Sequence, residues 1–78
     1  MNQLKAYGFP RNDDVCESPL ELSEVTFSAS PELLRELAKF LEEAATQIAD
    51  GAQHVHLRDQ WSGWQQGGAD LIVFRPAP

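Results

Sequence analysis

The stretch "SPELLRELAKFLEEAATQIADG", residues 30–51, constrains the fold of this chain more than any other. Ser30 is suited to cap the free N–H groups of a first helical turn, and Pro31 fits the first helical position, where its missing donor costs nothing. Glu32 then lies near the positive end of the helix dipole. Leu34, Leu37, Leu41, Ala44, Ala45 and Ile48 recur at steps of three and four, which makes one apolar stripe. Leu33, Ala38 and Phe40 widen or flank it. Gly51 is the stop, because glycine adopts the left-handed conformation that ends helices at little cost. The pattern predicts a helix from about Pro31 to Asp50. On this reading Leu37→Ala or Leu41→Ala costs several kcal/mol through the cavity left behind.

A single amphipathic helix has to bury its stripe against something, and the flanking segments alternate as strands do. In "LELSEVTFSAS", Val25, Phe27 and Ala29 point one way and Glu24, Thr26 and Ser28 the other. Leu20 and Leu22 fall out of phase, so either a bulge lies near Ser23 or the strand begins after it. In "QHVHLR", Val55 and Leu57 oppose His54, His56 and Arg58. "ADLIVFR" is apolar on both sides, with Leu71 and Val73 on one face and Ile72 and Phe74 on the other. "QLKAY" is a weaker strand, followed by the turn-rich "GFPRNDDVCESP", and the terminal "PAP" ends the last strand because proline cannot donate to a ladder. The order is β-β-α-β-β: an α+β two-layer sandwich, one helix on a small, mainly antiparallel sheet. Its 78 residues make one domain near the lower size limit for a single core.

One helix covers one face of such a sheet and leaves the other bare. The bare face is expected to carry Glu24, Thr26, Ser28, His54, His56 and Arg58 around apolar residues of the last strand, a composition suited to binding. The loop "DQWSGWQQGGAD" adds Trp61 and Trp64, a residue type that serves equally as an interface anchor or as a closer of a small core.

His54 and His56, one residue apart, raise the question of a metal. On a strand they share a face about 6.5–7 Å apart, near enough to ligate one ion. Zinc asks for three or four protein ligands, however, and Asp59 points to the opposite face if the strand continues. No metal or other cofactor is assigned on this pattern. Catalysis finds no support either: Ser62 lacks a base–orienter pair, and the glycines of "WQQGGAD" serve a turn between strands.

A formal charge of −6, from six basic against twelve acidic residues, argues against non-specific nucleic-acid binding. It favours encounter with a basic protein. The only cysteine is Cys16, so no internal disulfide forms, in keeping with a reducing cytoplasm. There is no apolar run of membrane-helix length and no signal-peptide core near "MNQLKAYGF", so the expected location is the cytoplasm and no membrane partner is expected.

"LSEVTFSASPELLRELAKFLEEAA", then "HVHLRD", a tryptophan-bearing loop and "ADLIVFRP" together resemble the bacterial immunity protein 32 family over about Leu22 to Pro76. The matching positions are His54, His56, Leu57 and Asp59, then Asp70 to Val73. The resemblance implies a cytoplasmic, non-catalytic protein that neutralises a cognate toxin of a polymorphic toxin system. It supplies no toxin-contacting residue. The residues themselves nominate His54, His56, Arg58, Asp59, Trp61 and Trp64 as the partner-binding set. The alternative is a small metal- or ligand-binding homodimer in which a two-fold axis brings four histidines together. A homodimer that simply buries its own open face is a third reading.

Overall fold

A computed structural model describes residues 3–11 and 18–76. Cys16 and most of the loop around it, with the last two residues of "PAP", lie outside them. The elements in chain order are β1 (Ala6–Gly8), β2 (Leu20–Leu22), α1 (Pro31–Ala49), β3 (His54–His56), α2 (Leu57–Gln60) and β4 (Ile72–Phe74). This is the expected α+β order with one four-residue helix added.

The helix begins and ends where its caps require. Ser30 is extended and its Oγ accepts from the Leu33 N–H at 3.1 Å, with Pro31 next in line. At the other end Gly51 takes a φ of 113°. That lets Gly51 N–H reach Ile48 O and Ala52 N–H reach Gln47 O, so carbonyls of the last turn find donors.

The strands form two antiparallel pairs instead of one sheet, β1 with β2 and β3 with β4. This corrects the expected second strand. Residues 24–30 run without ladder bonds, and Val25 and Phe27 are 48% and 57% exposed instead of lying in the core. Leu20–Leu22, which looked out of phase, forms the strand. A strand is defined by the backbone that pairs with it. Here Ala6–Gly8 pairs at Leu20–Leu22, and alternation further along finds no partner.

The core is built from Phe40, Ala44, Val55 and Leu57, with Leu37, Ile48, Ala52, Trp61, Trp64, Leu71 and Val73 packed around them. The buried face of α1 is therefore the row Leu37–Phe40–Ala44–Ile48. Leu34 and Leu41, placed at the centre of the stripe by periodicity, are 46% and 50% exposed. The helix carries two overlapping apolar rows, and the row with the aromatic ring removes more area from water when it faces the sheet. Arg75 locks this arrangement. It leaves β4, bonds its backbone N–H to Gln53 O, and points its guanidinium at the Ala52 and Ile48 carbonyls at the helix C-terminus.

Candidate functional site

The β3–β4 pair is where the chain presents chemistry to its surroundings. Val55 opposes Val73 on the side packed against α1. Period-two alternation then turns His54, His56, Ile72 and Phe74 outward. His54 lies directly opposite Phe74, and His56 opposite Ile72. The His54 ring stacks on Phe74 with centres 6.1 Å apart and 14° between planes. It meets His56 edge to face at 5.1 Å and 78°. Phe74 is nevertheless 71% exposed and Ile72 50%. The face is thus an apolar pair on β4 beside two imidazoles on β3, with Phe74 the most exposed and His56 the most covered of the four.

One of these imidazoles is held. His56 Nδ1 lies 2.8 Å from Asp70 Oδ2, while Asp70 Oδ1 accepts the Arg58 backbone N–H at 3.0 Å. The Arg58 Nε stands 3.8 Å from the same carboxylate. Partial burial raises the Asp70 pKa, but the hydrogen bonds from His56 and the Arg58 backbone and the electrostatic attraction of those two side chains outweigh it. The net effect is a carboxyl below its usual value. In the sequence Asp70 is a position of the family resemblance at the opening of the last strand, with no partner indicated. Its pairing with His56 spans fourteen residues and follows from the register of β3 against β4.

His54 and His56 share a face as expected. Leu57 is buried as expected, with its N–H on Leu71 O, but the strand ends at His56 and the chain turns into α2. Arg58 and Asp59 therefore sit on a helical turn, exposed, and do not continue the strand face. Trp61 and Trp64 are half-buried against the core, and Trp64 Nε1–H donates to Ala69 O at 3.1 Å. Trp61 lines a shallow groove with Glu36, Lys39 and Gln60. Glu24, Thr26 and Ser28 belong to no strand paired with β3 or β4. Residues 26–29 instead border a cleft of about 240 Å³ whose far side is Leu37 and residues 69–71.

Among the described residues no group of three or more His, Cys, Asp or Glu is placed to hold a metal by itself. None of the helices among those residues is long and apolar enough to cross a membrane.

The fold and this face define a small α+β domain that offers an outward sheet surface. A family model described as Immunity protein 32 matches residues 24–76, and the chain belongs to that family. The matched stretch contains α1, β3, α2 and β4 with all six nominated residues, and it leaves out β1 and β2. Comparison with curated proteins and with solved structures returns no significant match.

Proposed function

We propose that this chain is a cytoplasmic immunity protein that neutralises a cognate toxin by stoichiometric binding, with no reaction of its own. The observation that carries this reading is the outward face of β3 and β4. Phe74 is mostly and Ile72 half exposed, lying across from His54 and His56 inside the stretch that matches the family. Exposed aromatic and aliphatic side chains bordered by polar groups are what a specific interface buries. Arg58 and Asp59 on the adjoining turn supply the polar rim, and the exposed edges of Trp61 and Trp64 extend the surface. An inhibitor of this kind acts by occlusion, covering roughly 800 Å² of the toxin.

The test is purification of the tagged protein from its own host, identification of the bound protein, and a growth assay with that protein expressed. A one-to-one complex that protects cells supports the reading. Phe74→Glu should abolish protection while leaving the thermal melt close to wild type, since the ring is exposed. Protection that survives both Phe74→Glu and Ile72→Glu would remove this face from the proposal.

A further inference from the structure

The outward histidines carry an arrangement that toxin binding does not require. We infer that His54 and His56 form half of a site for a zinc-like transition-metal ion, completed by the same pair from a second copy of the chain. An imidazole bound at about 2.0–2.1 Å has its ring centre roughly 3.2 Å from the ion. Two such rings on tetrahedral positions then have centres roughly 5 Å apart. The two rings stand 5.1 Å apart. That centre-to-centre separation matches joint ligation of one ion.

Asp70 supplies the second, independent observation. A ligating histidine ordinarily gives its other ring nitrogen to a carboxylate, which fixes the ring and strengthens the donor. The Asp70 carboxylate does this for His56 Nδ1 at 2.8 Å and is itself held by the Arg58 N–H. Nε2 is left as the coordinating atom. Imidazole donors select zinc, nickel or copper over calcium and magnesium, which prefer oxygen.

Two imidazoles leave a tetrahedral shell half filled, and no third ligand is at hand among the described residues. A two-fold axis through the face brings in His54 and His56 of a second copy and closes the shell with four nitrogens. The same contact buries Ile72 and Phe74, 50% and 71% exposed in the single chain, which favours a second copy over water as the source of the missing ligands. The inference does not rest on the toxin reading. Because both use one face, a metal-linked dimer and a toxin complex exclude each other.

Titration of the purified chain with zinc chloride, followed by calorimetry and by sedimentation velocity, tests it. One zinc per two chains should bind, monomer should become dimer, and EDTA should reverse both, while calcium has no effect. His54→Ala and His56→Ala should each weaken zinc binding by about 100-fold or more. Asp70→Asn, acting through His56, should weaken it by about 10–100-fold and still permit the dimer at saturating zinc. His54 is exposed, so its variant keeps the fold, which circular dichroism verifies. Absence of zinc uptake, uptake unchanged in the His54→Ala/His56→Ala double variant, or a dimer indifferent to EDTA would each overturn the inference.

Discussion

His56 and Asp70 are joined by a 2.8 Å contact that ties the end of β3 to the segment entering β4. The carboxylate also takes up the backbone N–H of Arg58, the second residue of α2. One side chain therefore fixes an imidazole, anchors the turn that ends the strand, and sets how the outward face is presented.

Asp70→Ala leaves both donors without their acceptor and should cost about 2–3 kcal/mol in urea denaturation, as charged hydrogen bonds do. The Asp70 carboxyl titrates below its usual range in the folded chain. Its stabilisation is therefore complete above the unfolded-state pKa, about 4, and is lost as pH falls through the lower folded-state value. The variant should show a flatter acid limb than wild type. Parallel acid limbs would mean that the contact contributes nothing.

Phe40 and Leu41 are neighbours in sequence with opposite fates. Phe40→Leu should cost about 1–2 kcal/mol and Phe40→Ala about 3–5 kcal/mol, because the ring is 3% exposed at the centre of the core. Leu41→Ala should cost about 1 kcal/mol or less, since half of the side chain already meets water. Equal losses at Phe40 and Leu41 would show that α1 is turned differently on the sheet.

Arg75, just after β4, closes the C-terminal end of α1 from twenty-seven residues beyond Ile48. Arg75→Met keeps the stem and removes the donors to the Ala52 and Ile48 carbonyls. A loss of about 1–3 kcal/mol is expected, read as a drop of roughly 4–8 °C in Tm per kcal/mol. Arg75→Lys should recover part of it through the charge at the helix terminus.

Gly63 lies under the Trp61 ring. A Cβ built there would stand 2.5 Å from Trp61 Cζ2, far inside van der Waals contact. Gly63→Ala should push the indole off the core, at about 1–3 kcal/mol, with a red shift in tryptophan emission. An unchanged spectrum would show that the loop yields before the ring does.

The acidic excess gives the proposed toxin complex a salt signature. With a basic partner, association should slow markedly between low and high ionic strength while dissociation changes little. Stopped-flow rates that stay flat across that range would remove electrostatic steering from the account.

The sequence by itself determined the features whose energies are local. The cap at Ser30, the proline after it and the glycine at 51 specify α1 through contacts within a few residues, and the helix lies where they place it. The i, i+2 spacing was likewise enough to put His54 and His56 on one face and to send Val55 inward. Only the tertiary structure decided what depends on competition between distant parts of the chain. Which of two apolar rows on α1 is buried turns on the bulk of Phe40 against Val55 and Val73. Which extended segment becomes a strand turns on where Ala6–Gly8 pairs, and that choice left Val25 and Phe27 in solvent. Asp70 and Arg75 read as an ordinary acid and base until the β3–β4 register carries one to His56 and the other to the end of α1. Alternation and periodicity report which way a side chain points, but the partner it meets is set by burial and pairing across the whole fold.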